Sequence, residues 1–163
     1  MKYVLVFVLG VVIGASAITT GFAQRDRVPA LNHVGIVVSD YAESLAFYTE
    51  ALGFEIAYTV DNPDGSPLLT YLQLNRETFV ELIPARPGQE AGITHFGIEV
   101  GAIDGAVDRI RAFGATISDP GLTPANAEFA RMRDPDDVDI EVMAFGPDAR
   151  QRQAMEAWDA RSD

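Results

Sequence analysis

The chain of 163 residues has no cysteine and two histidines, and its 12 basic side chains face 24 acidic ones. The missing cysteines exclude disulfides, thiolate metal centres and cysteine nucleophiles. The shortage of histidine confines imidazole chemistry to His33 and His95. A formal net charge of −12 and a pI near 4.4 repel phosphate backbones and anionic lipid, which argues against nucleic acid and a peripheral membrane role.

What is present begins with an apolar leader. Lys2 is followed by an uncharged run from Tyr3 to Ala23, in which Ala15-Ser16-Ala17 and Gly21-Phe22-Ala23 offer the small residues a signal peptidase reads. Residues 1–23 are read as an export signal, which predicts a periplasmic or secreted domain. The alternative is an uncleaved membrane anchor, because the run is about long enough to span a bilayer. Residues 24–29 follow as a polar linker. The roughly 140 residues left suit one domain and can bury a core without crosslinks.

That remainder contains a repeat. Asn32-His33-Val34-Gly35-Ile36-Val37-Val38 and Thr94-His95-Phe96-Gly97-Ile98-Glu99-Val100 are offset by 62 residues, and both histidines fall at one repeat position. A helical stretch follows each: Tyr41 to Leu52, capped by Ser39 or Asp40 and stopped by Gly53, then Ile103 to Phe113, stopped by Gly114. Strands are predicted over 54–60, 68–74 and 78–83 in the first copy, and over 115–118, 128–133 and 138–144 in the second. Each copy thus reads strand, helix, three strands, with modules at about 31–84 and 93–145 inside a domain spanning 30–146. Residues 147–163 form a last helix, read as a cover for the sheet.

Strand alternation puts His33, Gly35 and Val37 on one face, and His95, Gly97 and Glu99 likewise. The opposite, more apolar faces are the ones helices cover, so the histidines line a cavity. Glycine two residues on is expected to keep space beside each imidazole. Val80-Glu81-Leu82 and Ile140-Glu141-Val142 place one carboxylate per copy mid-strand between aliphatics, which is costly unless the carboxylate is paired or metal-bound. A pseudo-twofold relation between the copies brings two His and two Glu to one centre. That donor set suits a divalent ion such as Zn, Ni, Co, Mn or Fe(II).

The segments Leu31 to Val38, Ala46-Phe47-Tyr48-Thr49-Glu50-Ala51-Leu52-Gly53-Phe54, Ile93 to Val100 and Asp134 to Val142 resemble the vicinal oxygen chelate superfamily. That group includes glyoxalase I, methylmalonyl-CoA epimerase, extradiol dioxygenases and drug-resistance proteins. The resemblance covers Ala30 to Phe145. It implies an α+β fold of two βαβββ modules, a mixed eight-stranded, half-barrel-like sheet around a metal that chelates vicinal oxygens of a small-molecule substrate. The ligand pattern falls on His33, Glu81, His95 and Glu141, the glyoxalase I arrangement. Asp137 departs from the family's usual turn glycine. Members form the site within one chain or across a homodimer.

The resemblance implies proton transfer beside a chelated carbonyl, as in a lyase, isomerase or epimerase, with Glu81 or Glu141 moving the proton. One alternative is an Fe(II) dioxygenase using His33, His95 and Glu141, where Tyr58 or Tyr71 would replace a missing acid/base histidine. Another is a non-catalytic binding or resistance protein. Strand parity nominates Phe79, Gln73, Met143 and Phe145 as pocket residues. Arg131 and Arg133 are candidates for a polar or anionic substrate, and Glu99 for the rim or for an imidazole N–H.

Overall fold

The two histidine segments become the central strands of the structure, a computed structural model describing residues 29–160. The leader at 1–23 and nearly all of the linker lie outside the described residues. Among those described, no helix is long and apolar enough to cross a membrane. The first module comprises β1 (Ala30–Val38), α1 (Tyr41–Ala46), β2 (Glu55–Asp61), β3 (Pro67–Gln73) and β4 (Phe79–Pro84). The second comprises β5 (Gly92–Glu99), α2 (Ile103–Phe113), β6 (Gly121–Leu122), β7 (Glu128–Arg133) and β8 (Asp139–Ala144), after which α3 (Arg150–Asp159) crosses back.

One mixed sheet of eight strands, in the order β2-β3-β4-β1-β5-β8-β7-β6, curls into a half-barrel. Within each module the first strand pairs parallel with the last, β1 with β4 and β5 with β8. The modules join through antiparallel β1 and β5. The convex face carries the helices. Leu72, Val80 and Leu82 pack with Val38 under α1, while Ala130, Val142 and Ala144 pack with Ile103, Ala106 and Val107 of α2. Each such leucine, fully removed from water, contributes about 1.5–3 kcal/mol. The concave face holds a third cluster of Tyr58, Tyr71, Phe79, Met143 and Phe145, closed by Ala149 and by Met155 of α3.

Local chemistry explains most boundaries. Asp40 caps α1, its carboxylate accepting from Glu43 N at 2.9 Å. The predicted single helix to Leu52 instead widens after Ala46 into a π-helical turn over Phe47–Ala51. Gly114 ends α2 at φ 94°, its N–H donating to the Arg111 carbonyl. The strand expected over 115–118 shrinks to one bridge between Ile117 and Met132, and pairing with β7 resumes at Gly121–Leu122. Pro120 lies between the two and has no N–H for a ladder.

Asp137 adopts φ 65°, the left-handed conformation that glycine takes without strain, so the turn survives the departure. Asp134 supports it, its Oδ1 accepting from the N–H groups of Asp136 and Val138 at 2.9 Å. Asp137→Gly should therefore stabilise the protein by about 0.5–1 kcal/mol. A raised urea midpoint at unchanged slope is the expected readout, and an unchanged or lowered midpoint contradicts the strain.

Candidate metal centre

The pairing of β1 with β5 sets the site. His33 lies opposite Gly97, and Gly35 lies opposite His95. The parallel partners add Glu81 beside Gly35 and Glu141 beside Gly97. Two rows therefore cross the concave face: Tyr71, Glu81, Gly35, His95 and Asp139 in one, Phe79, His33, Gly97, Glu141 and Arg131 in the other. In both rows a glycine separates Glu from His. A Cβ at Gly35 would overlap the His95 ring, and one at Gly97 would overlap the His33 ring. Each glycine thus clears space for the other module's imidazole rather than for its own.

Both Nε2 atoms point to one centre and lie 3.2 Å apart. Glu81 Oε2 is 3.0 Å from His95 Nε2 and 3.9 Å from His33 Nε2. Glu141 Oε2 is 3.7 Å from His33 Nε2 and 3.9 Å from His95 Nε2. His33, Glu81 and His95 form a compact ligand cluster, with donor atoms all within 4.8 Å of one another. Glu141 lies next to that cluster, its Oε1 accepting from Arg131 Nε at 3.0 Å and Nη2 at 2.8 Å.

The ring orientations follow from the residue before each histidine. Asn32 donates from Nδ2 to the Glu77 carbonyl, so its Oδ1 faces His33 Nδ1 at 3.2 Å and accepts that proton. Thr94 donates its hydroxyl to the Gly35 carbonyl and accepts from His95 Nδ1 at 3.0 Å. Both neutral imidazoles therefore present bare Nε2 lone pairs to two carboxylates. Four acceptors facing one another repel unless a cation or a proton sits among them. Ligands about 2.1 Å from a common ion stand about 3.0–3.4 Å apart in octahedral or tetrahedral geometry. The His33–His95 and Glu81–His95 spacings fall in that range, and the donor set suits a divalent ion.

The two histidines differ electrostatically. Burial, and then the neighbouring His95, push His33 down to about 3. Burial also opposes a charge on His95, but the hydrogen bond to Glu81 and the charges of Glu141 and Glu81 outweigh it and hold His95 above its ordinary value. Tyr71, one of the two tyrosines considered for acid/base work in the dioxygenase reading, has its hydroxyl 3.5 Å from His33 Nε2. Burial, with the charge of Glu81, raises that phenol well above its ordinary value, so it stays protonated.

Two hollows adjoin the centre. A chamber of about 120 Å³ reaches Tyr71, Glu81, Arg131, Glu141 and Gln151. An open groove of about 460 Å³ is lined by His95, Glu141, Ile83, Arg86, Arg131 and Arg133. A larger hollow of about 1010 Å³, between α2 and β7, touches none of the four His and Glu side chains.

The pocket residues nominated by parity share the concave face but line neither of the adjoining hollows. Phe79, Met143 and Phe145 belong to the cluster under α3, and Gln73 donates to the Arg76 and Ala154 carbonyls. They are wall and core because α3 occupies the space in front of them. Glu99 pairs with Arg152 of α3 at 3.3 Å.

The glycine geometry carries a prediction. Gly97→Ala meets a fully buried ring with nowhere to go and should destabilise the protein by about 1–3 kcal/mol. Gly35→Ala can displace half-buried His95 toward the groove, costing less stability while weakening metal retention. Thermal melts together with metal titration of both variants check this, and equal behaviour of the two would contradict it.

Comparison with known proteins agrees with this geometry. YwkD of Bacillus subtilis (strain 168), an uncharacterized protein, is 28% identical over 121 residues, covering 69% of this chain and 94% of YwkD. A probable chloroplastic lactoylglutathione lyase of Arabidopsis thaliana is 30% identical over 124 residues, 71% of this chain but 35% of the lyase. Biphenyl-2,3-diol 1,2-dioxygenase of Metapseudomonas furukawaii is 32% identical over 111 residues, 64% of this chain and 36% of the dioxygenase. Methylmalonyl-CoA epimerase from Mycobacterium tuberculosis shares the fold at a TM-score of 0.61 and 22% identity, over 72% of this chain and 88% of the epimerase. Residues 30–142 match the family model, and the chain belongs to the glyoxalase/bleomycin resistance protein/dioxygenase superfamily.

Proposed function

We propose that this protein is a divalent-metal enzyme of the lyase, isomerase or epimerase type, moving a proton next to a carbonyl of a small molecule. The observation that carries the reading is the unequal bonding of the two glutamates around one acceptor-only centre. A bound ion would supply Lewis-acid polarisation of the carbonyl oxygen. His33, His95, Glu81 and Glu141 are the residues that would hold it.

Glu141 is tied on Oε1 by the Arg131 guanidinium, which fixes its carboxylate. Among the described residues the ion-pair partners of Glu81 are the two histidines, so it is the carboxylate free to swing and exchange a proton with the substrate carbon. Tyr71, held protonated, can donate a hydrogen bond to a substrate oxygen but cannot serve as base. Arg86, Arg131 and Arg133 along the groove favour a polar or anionic substrate entering beside His95. The leader adds that this chemistry takes place outside the cytoplasm. N-terminal mass analysis should find a mature chain starting near Ile18 or Gln24, and an intact leader in the membrane fraction would favour the anchor.

Glu81→Gln is expected to retain metal and lose roughly two to four orders of magnitude in rate, the cost of removing a general base. The assay is solvent-deuterium exchange into α-hydroxycarbonyl and thioester substrates, with and without oxygen. A second reading, oxygen activation by an Fe(II) ion held by His33, His95 and Glu141, draws on Tyr71 as a phenol donor at the centre. Under that reading Glu81→Gln stays active and turnover consumes O₂, which would overturn the first.

A further inference from the structure

The groove beside His95 collects three of the chain's 12 basic side chains, Arg86, Arg131 and Arg133, on a protein of net charge −12. Two of them are already answered: Arg131 is held by Glu141 at 2.8 Å, and Arg133 by Asp139 at 2.8 Å. Arg86 has no carboxylate partner among the described residues, and it is exposed along the groove. Its backbone is nevertheless fixed. Ala85 N donates to the Val38 carbonyl at 2.9 Å, which ties the end of β4 to β1. Arg86-Pro87-Gly88-Gln89 then closes a type II turn, in which Gln89 N donates to the Arg86 carbonyl at 2.9 Å and Gly88 takes φ 81°. Gln89 lines the same groove, and its Oε1 accepts from Arg86 N at 3.2 Å, which leaves Nε2 as a second donor on the turn. The turn joins the two modules, so it occurs once and has no counterpart across the pseudo-twofold.

Charge balance shows what such a cation can serve. With a divalent ion held, its charge offsets those of Glu81 and Glu141, and Asp139 offsets Arg133. Arg131 remains to answer the negative charge that builds when a proton leaves carbon at the centre. Arg86 is left over, so the charge it answers has to arrive with the substrate. One planar fork matches a carboxylate, whereas a phosphate with nearly two charges calls for a second cation. We propose that the turn between the modules binds a carboxylate at the far end of the substrate, with Arg86 as the residue that selects it. The inference rests on the proton-transfer reading above and narrows its substrates to carbonyl acids whose carboxylate is not the chelating group. Arg86 stands five residues beyond Glu81, at most about 16 Å along an extended chain, and its own side chain spans part of that distance. A spacer of several bonds therefore separates the two ends of the substrate, and a groove of about 460 Å³ has room for it.

The test uses the monohydroxamates of succinic, adipic and suberic acid, each beside its primary-amide counterpart, titrated calorimetrically into the full chain loaded with Zn(II). Each pair shares a chelating head and a spacer and differs only in carboxylate against carboxamide. At the spacer length that reaches Arg86, the acid should bind about fivefold more tightly at low salt, the upper end for an ion pair open to water. Arg86→Gln should abolish that preference while leaving amide binding in place. In the wild-type protein, the Arg86 Nε–H resonance should shift with the favoured acid and not with its amide, a readout that needs no variant. Equal affinities within every pair, one and the same preference at all three lengths, a preference that survives Arg86→Gln, or a resonance that moves with both members of a pair would overturn the subsite. A length-dependent preference without proton exchange leaves the subsite standing and removes the isomerase reading; exchange without a preference does the reverse. Failure to bind Zn(II) defeats both.

Discussion

The antiparallel register of β1 on β5 is the constraint from which the site follows. It sets His33 against Gly97 and Gly35 against His95. A slip of one residue would turn one of the two histidines away from the face the other lines, because side chains alternate. A slip of two would keep the face but set each imidazole against something other than the glycine that makes room for it. Close approach of the two Nε2 atoms is possible only in this pairing. Packing of α1 and α2 on the convex face, with Val38 and Val100 buried at the ends of the same segments, holds the register in place.

On that symmetric frame the walls are unequal. The cross-strand neighbour of His33 is Phe79, and that of His95 is Asp139. The neighbour of Glu81 is Tyr71, and that of Glu141 is Arg131. One half of the centre is therefore aromatic and closed, and the other is charged and opens on the groove. The opposite titration tendencies of the two histidines have the same origin: His33 is desolvated among aromatics, while His95 meets carboxylates nearer to water. Proton transfer needs one carboxylate held and one released, and a strictly twofold site could not distinguish them.

Most of the frame was legible in the sequence because it rests on period and repetition. Strand alternation put His33, His95, Glu81 and Glu141 on one face, and equal repeat positions brought them together. What parity cannot show is what stands in front of a face. Phe79, Gln73, Met143 and Phe145 were assigned the correct side and the wrong neighbour, because docking of α3 depends on contacts across the whole half-barrel. The place of Tyr71 beside Glu81 was recoverable from their register, but only after the β3–β4 turn had been placed. Gln151 had no signal at all, since one glutamine in a polar helix looks like any solvated position.

The way α3 is attached decides whether its contribution to the site is fixed or incidental. Its most exposed tie, Arg76 to Asp159 at 2.8 Å, is an ion pair of a kind worth only about 0–1 kcal/mol. The firmer restraints lie on the inner side. Arg150 donates to the Thr59 carbonyl at 2.7 Å and stacks over the Tyr58 ring, and the Ala154 carbonyl accepts from buried Gln73. Ala149 and Met155 are removed from water against the same aromatic cluster that carries Tyr71. Gln151 sits between these anchors in sequence, so its amide cannot turn outward without breaking contacts on both flanks. A helix anchored this way keeps its inner side chains in place over the aromatic cluster, because the entropy of ordering them is already met by folding.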